Sequence, residues 1–128
     1  MILVGSQRAG GRNLANHLMN DRDNDHVTVV ELRGFVGTTL QDAFDEAQAI
    51  AKATKASQYL FSLSLNPPPD AEIDVETLRD AADRAEAALG LTGQPRTIVV
   101  HDKQGRRHAH AVWSRIDAQK LTAINLPY

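Results

Sequence analysis

The chain has 128 residues, 42% of them hydrophobic, and a formal net charge of −2 at pH 7. This length suits one domain with a sizeable core and is too short for two. We therefore expect a single domain over residues 1–128. This domain could be the N-terminal part of a longer protein. The absence of cysteine excludes disulfides and thiolate zinc sites, and the slightly acidic balance by itself argues against nucleic acid as a partner.

The N-terminus gives no sign of a targeting or membrane segment. Met1–Val4 supplies only four apolar residues before Gly5. A signal peptide or a spanning helix needs a much longer apolar run. We therefore expect a cytoplasmic protein that has no membrane partner.

Hydrophobic spacing and turn residues predict alternating strands and helices followed by a β-hairpin. In chain order the expected elements are an opening strand, a short helix over Asn13–Met19, a strand over Val27–Leu32, a helix from Thr38, a strand over Tyr59–Leu65, a helix between Asp74 and Gly90, and hairpin strands Thr97–His101 and His108–Ile116. This order favours an α+β fold with a mainly antiparallel sheet. The two long helices are expected to cover one face and to leave the other open for a site.

The hairpin carries the most informative residues of the chain. If Gln104 and Gly105 form its turn, His101 lies directly opposite His108, with their Cβ atoms about 5 Å apart. Side chains alternate faces along a strand, so His110 lies on the same face as His108. The apolar run before His101 predicts that the hairpin is central in the sheet. Three converging neutral imidazoles suit one divalent metal, and their affinities favour zinc, nickel or copper over magnesium.

Each of these polar features also has an explanation that involves no function. Two histidines at i, i+2 are common on solvated strands, so the third histidine in register carries the metal interpretation. The segment from Arg96 to Arg115 holds five basic residues and one acid, which suits a phosphate or simply a solvated hairpin. The acidic segment Asp21–Asp25 is either a polar surface loop or a source of carboxylates that bind a metal or act as a base.

Two segments resemble motifs of one family. The stretch from His101 to His110 has the family's metal motif, which is two histidines one residue apart and a third on the preceding strand. Phe61–Pro68 resembles its strand that ends in a serine before a proline-containing loop. Over nearly the whole chain the sequence resembles the relaxase and mobilization nucleases, the VirD2/MobA-like branch of the HUH endonucleases. The resemblance implies magnesium or manganese, and contact of Ser64 with DNA near the nick, although two strand serines facing one way would look the same.

The same resemblance exposes a departure at the nucleophile. Relatives place a tyrosine in the first short helix, at the position that His17 occupies in Leu14–Leu18. Some related relaxases use a histidine nucleophile, and neutral imidazole is competent for that role. His17 is therefore the expected nucleophile, with His26 in reserve, unless His17 merely packs or caps its helix. Tyr59 opens a strand and Tyr128 ends the chain, so neither lies where the family keeps its tyrosine.

The resemblance implies a nickase and strand transferase that acts on single-stranded DNA at a transfer origin, with other mobilization proteins as candidate partners. Arginines are the candidates for backbone contacts: Arg8, Arg12, Arg106 and Arg107. Asp102 is expected to be a turn residue before anything else, and Ser114 stands where relatives often have asparagine. Two other functions stay open, a DNA-binding relic that has lost cleavage and a three-histidine phosphoesterase that activates water.

Overall fold

The computed structural model describes residues 1–20, 22 and 24–127. Its elements are β1 (Ile2–Arg8), α1 (Gly11–Leu18), β2 (His26–Arg33), α2 (Leu40–Ala51), β3 (Leu60–Asn66), α3 (Val75–Leu89), β4 (Arg96–Lys103), β5 (Arg106–Ser114), β6 (Ile116–Asp117) and β7 (Thr122–Ala123). The predicted order of strands and helices is confirmed. Among the described residues, no helix has the length and apolar character needed to cross a membrane.

Five strands form one antiparallel sheet in the order β1-β3-β5-β4-β2, and β6 pairs with β7 in a small separate ribbon. The α+β class with a mainly antiparallel sheet is confirmed. Strand β5 is the middle strand, with β3 and β4 on either side. The hairpin of β4 and β5 is therefore central, as its apolar sequence predicts.

The distribution of the helices differs from the prediction, because α2 and α3 lie on opposite faces of the sheet. Helices α1 and α2 form one core with alternate residues of the central strands: Leu14, Leu18, Phe44, Leu60, Val99 and Val112. Helix α3 forms a second core with the residues between them: Leu78, Ala82, Ile98, Val100, Ala111 and Trp113. The reason is visible in β4, where six consecutive residues are buried. A strand that is apolar on both sides needs cover on both sides.

Helix ends follow capping chemistry, with small shifts from the predicted positions. The Asp74 side chain accepts from the Thr77 N–H at 2.8 Å and Gly90 has a left-handed φ of 73°, so α3 begins and ends as predicted. Helix α2 is capped by Thr39, which accepts from the Asp42 N–H, and it begins at Leu40, two residues after the predicted start at Thr38. Helix α1 begins two residues earlier than predicted, after the left-handed Gly10.

A buried polar network ties α3 to the sheet. The Arg96 guanidinium is only 2% exposed and pairs with Glu31, Asp83 and Glu86. Glu86 also accepts from the Trp113 indole N–H at 2.9 Å and from Arg33. Burying such charges requires that each one is paired, and here α3 and three strands supply the partners. The network lies on the α3 side, so the opposite face remains for the histidines.

Candidate metal centre and nuclease site

The turn between β4 and β5 fixes the register of the histidines. Gln104 and Gly105 have φ values of 51° and 76°, the pair of left-handed residues that a two-residue type I′ turn requires. This turn places His101 opposite His108 and Val99 opposite His110. The register predicted from the sequence is therefore confirmed, and all three imidazoles lie on the face that α1 and α2 partly cover.

The three rings form a compact cluster. Their centroids lie 4.8 to 5.3 Å apart, and one ring nitrogen from each residue lies within 4.8 Å of the others. The His101 Nδ1 and the His108 Nε2 are 3.3 Å apart. Two imidazole ligands of one tetrahedral zinc ion would have their nitrogens about 3.3 Å apart, given metal–nitrogen distances near 2.0–2.1 Å. The donor set and its spacing therefore fit a divalent metal.

The protonation states of His108 and His110 leave both rings able to bind a metal. Burial first, and then the proximity of His101, His108 and His17, lowers the pKa of His110 to about 3. Burial and the nearby His101 likewise lower the pKa of His108 from its usual 6.5. Both rings are therefore neutral at pH 7 and keep a lone pair for a metal.

Helix α1 brings His17 to the same place. The helix is fixed at its start by the Tyr59 hydroxyl, which accepts from the Gly11 N–H at 2.9 Å. At its end the Leu18 carbonyl lies 2.6 Å from the His101 Nε2. His17 directly precedes Leu18, is exposed, and acts electrostatically on His110. An exposed imidazole thus stands beside three half-buried or buried ones.

A comparison with protein-family models assigns the part of the chain that carries these histidines to a known family. The model described as "Relaxase: MobA/VirD2-like, nuclease domain" matches residues 16–128, which include the histidine cluster and His17. The chain belongs to this relaxase family. The match begins inside α1, so β1, Arg8 and Arg12 lie before it. No significant match to a curated protein or to a solved structure was found.

A basic cleft extends from the histidine cluster toward the hairpin turn. It has a volume of about 390 Å³ and is lined by His108, basic residues and the proline loop: Lys103, Arg106, Arg107, Pro67, Pro68 and Pro69. Arg106 is exposed and shares the histidine face, since it lies two residues before His108 on β5. Arg107 faces the other way, donating to Asp102 at 2.8 Å and to the Ile73 carbonyl at 3.2 Å.

The remaining basic candidates lie on the other side of the cluster. Arg8 ends β1 and Arg12 lies in the first turn of α1, and both side chains are exposed. Arg8 pairs with Leu60 in the ladder, so it shares the face of the histidines. Of the four predicted arginines, Arg106 lies next to the cluster on its face, Arg8 shares that face from the other end of the strands, and Arg107 is engaged by protein partners.

Ser64 is brought to the cluster and Ser114 is not used there. Ser64 is the ladder partner of His110, so the two side chains lie on the same face. Its hydroxyl accepts from the Asn66 amide at 3.0 Å and donates to the Val4 carbonyl at 3.4 Å. Ser114 is buried, and its hydroxyl accepts from the Ile116 N–H.

His26 and Asp102 lie on the far side of the sheet. They are ladder partners, and Asp102 neighbours His101 along β4, so both face away from the cluster. The reserve candidate is therefore not brought to the other histidines. Within the acidic loop, Asp25 accepts from the Gln104 N–H at 2.8 Å and holds the hairpin turn. The predictions for Asp21, Asp23 and Tyr128 concern positions outside the described residues.

Sequence reasoning missed the groups that support the site. Nothing in the spacing indicates that Tyr59 holds the start of α1 or that the Leu18 carbonyl reaches His101. Lys103 is one of the five basic residues between Arg96 and Arg115, and nothing in the sequence distinguishes it as a residue that lines the cleft. The three prolines line the cleft because β3, which they follow, pairs with β5 next to the hairpin turn.

Proposed function

We propose that this domain nicks one DNA strand at a transfer origin and keeps the 5′ end of the cut strand on His17. The observation that carries the proposal is the position of His17, exposed at the end of α1 beside the three-histidine cluster. Membership of the relaxase family supports DNA as the substrate. The setting would be plasmid or mobile-element mobilization in the cytoplasm, with other mobilization proteins as possible partners.

The ligands of the metal would be His101, His108 and His110, which fit it in donor type and spacing. A divalent ion bound there supplies positive charge beside the non-bridging oxygens of the scissile phosphate. The family resemblance favours magnesium or manganese, whereas three imidazoles favour zinc or nickel. The protein's part is to keep His108 and His110 neutral and to hold the three rings close together.

The nucleophile would be a neutral ring nitrogen of His17. It forms a bond to phosphorus while the bond from phosphorus to the 3′ oxygen breaks in line. The 3′ oxygen leaves with the bonding electrons and takes up a proton, giving a free 3′ hydroxyl. The imidazole loses its other N–H proton or shares it with a base, and the 5′ phosphate remains as a phosphoramidate.

The DNA would cross the histidine face between two basic regions. Arg106 and Lys103 line the cleft next to His108, and Arg8 and Arg12 lie at the end of β1 and the start of α1. Cationic side chains at these positions hold a phosphate backbone without reading its sequence. Ser64, on the same face as His110, lies where it could contact the strand near the nick.

The test is the covalent protein–DNA species. With divalent metal and cognate single-stranded origin DNA, the wild type should form a denaturation-resistant adduct that is lost in acid, because a phosphoramidate is acid-labile. His17→Ala should lose the adduct completely while it keeps metal and DNA binding. His26→Ala is the matched control and should form the adduct normally.

Other outcomes point to the other functions. An acid-stable adduct that persists in His17→Ala would assign the reaction to a tyrosine and overturn the proposed nucleophile. DNA binding without any adduct would make the protein a relic that has lost cleavage. Hydrolysis of small phosphoesters without an adduct would favour a three-histidine phosphoesterase.

A further inference from the structure

The hydrogen bond between His101 and α1 has a consequence for how the metal centre is built. His101 is 4% exposed, and both of its ring nitrogens have close partners. Its Nε2 lies 2.6 Å from the Leu18 carbonyl, and its Nδ1 lies 3.3 Å from the His108 Nε2. A carbonyl oxygen only accepts, so the Nε2 must carry the proton and donate. The Nδ1 of the neutral ring then keeps its lone pair, and that lone pair faces the cluster.

We propose that His101 binds the metal through Nδ1, and that the Leu18 carbonyl is the positioning group that makes it do so. This inference rests on the metal site of the proposed function. The other nitrogen of a metal-binding histidine usually donates to a carboxylate or a carbonyl, which fixes the tautomer and the ring orientation. Here Asp102, the carboxylate next in sequence, is turned to the opposite face and paired with Arg107. The end of α1 takes its place.

The carbonyl is available because it ends a helix. The last carbonyls of a helix have no intrahelical donor and need other partners. In α1 the Ala15 carbonyl accepts from Met19 and the His17 carbonyl accepts from Asn20, while the Leu18 carbonyl is directed to His101. The Leu18 side chain is buried at 1% exposure in the core, so the position of its carbonyl is fixed from both sides.

The link joins the metal centre to the helix that carries His17. His17 and Leu18 are consecutive, so a group that orients His101 also holds the backbone of the proposed nucleophile. A metal on Nδ1 polarises the ring and strengthens the N–H donor at Nε2. Metal binding should therefore tighten the last turn of α1, and loosening that turn should weaken metal binding.

The first test identifies the nitrogens by imidazole ¹⁵N NMR. In the metal-free wild type, His101 should be the Nε2–H tautomer. On addition of Zn²⁺, the Nδ1 of His101 and the Nε2 of His108 should shift, and the His101 Nε2–H should persist. Zinc on the Nε2 of His101 would overturn the inference even if the protein forms its DNA adduct. No zinc binding at all would remove both the inference and the proposed metal site.

The second test turns the carbonyl without touching a ligand. A proline disfavours the helical conformation of the residue before it, so Met19→Pro should rotate the Leu18 carbonyl away from His101. Met19→Ala is the matched control, because it loses the same side chain and keeps the backbone. Zinc affinity should fall about 10–100-fold in Met19→Pro relative to Met19→Ala, as for other partners of metal-binding histidines. Equal affinities in two folded variants would overturn the coupling.

A readout in the wild type covers the case in which Met19→Pro does not fold. Amide hydrogen exchange at Met19 and Asn20 reports on the last turn of α1. Zinc should slow this exchange by at least about tenfold in the wild type, which corresponds to about 1.4 kcal/mol. Unchanged exchange at saturating zinc would overturn the coupling regardless of the proline variant.

Discussion

Burial determines the protonation state of the histidine cluster. His110 sits on the central strand between Val99 of β4 and Ser64 of β3, and its surroundings lower its pKa to about 3. A ring that stays neutral well below pH 7 does not need to lose a proton when a metal arrives. Below pH 6.5 this neutrality costs the metal-free protein stability, because the same ring in water would then be protonated.

We therefore predict that the free energy of unfolding of the metal-free protein falls in mild acid. The unfolded chain takes a proton on His110 near pH 6.5, and the folded chain does not until about pH 3. Above pH 6.5 both states are neutral and there is no effect, whereas below it the unfolded state binds more protons. The metal-free protein, kept in EDTA, should lose about 1 kcal/mol of unfolding free energy between pH 7.5 and 5.5 from this group. Urea denaturation at both pH values measures it.

The control for this prediction is His110→Gln, which cannot titrate. It should flatten much of the pH dependence, and the remaining slope should come largely from His108, whose pKa is lowered in the same direction. A wild type and a His110→Gln variant with the same slope would contradict the assignment. Saturating zinc should add stability at pH 7.5 in the wild type only, since the variant lacks one ligand.

Strand-level features of the site could be predicted from the sequence, and contacts between distant elements could not. The alternation of side chains and the Gln104–Gly105 turn fix the relation of His101 to His108 and His110 from local rules alone. The Leu18 carbonyl reaches His101 across 83 positions, and no local pattern encodes that contact. The pairing of Arg107 with Asp102 follows from the same hairpin register, whereas the contact of Arg107 with the Ile73 carbonyl, 34 positions away, does not.

The sequence contains a signal that helices cover both faces of the sheet. The apolar run Thr97–Val100 indicates a strand buried on both sides, and that requires helices on both sides. The sequence also places Glu86 on α3, but only the fold shows that it receives Arg33, Arg96 and Trp113. Glu86 is therefore the carboxylate on which three side chains of the sheet converge.

Replacement of this carboxylate predicts a large loss of stability with no loss of metal binding. Glu86→Ala leaves the buried Arg96 short of a partner and should lower the free energy of unfolding by about 3–5 kcal/mol. Glu76→Ala is the matched control on the same helix, because its ion pair with Arg79 is exposed and should contribute no more than about 1 kcal/mol. Denaturant unfolding compares the two. Losses of equal size would contradict the network's role.

The molecule separates its charges so that a net charge of −2 does not exclude DNA. The exposed cations Arg8 and Arg106 lie on the histidine face of the sheet, and Arg12 is exposed on α1, which packs against that face. Acidic residues are concentrated on α3 and its approach, on the opposite side of the sheet. Local potential rather than total charge sets the attraction for a polyanion, and the fold creates that potential by placing α3 behind the sheet.

This separation predicts a salt dependence that one arginine changes and another does not. If Arg106 neutralises a phosphate, the affinity for a mixed-sequence single-stranded oligonucleotide should fall with salt, and Arg106→Gln should reduce the slope of log K against log salt by about 0.7. Arg84→Gln removes the same charge from the exposed face of α3 and should leave the slope unchanged. Fluorescence anisotropy over a range of salt concentrations measures both slopes. Equal reductions would mean that the net charge governs binding, and an unchanged slope in Arg106→Gln would move the DNA path away from the cleft beside His108.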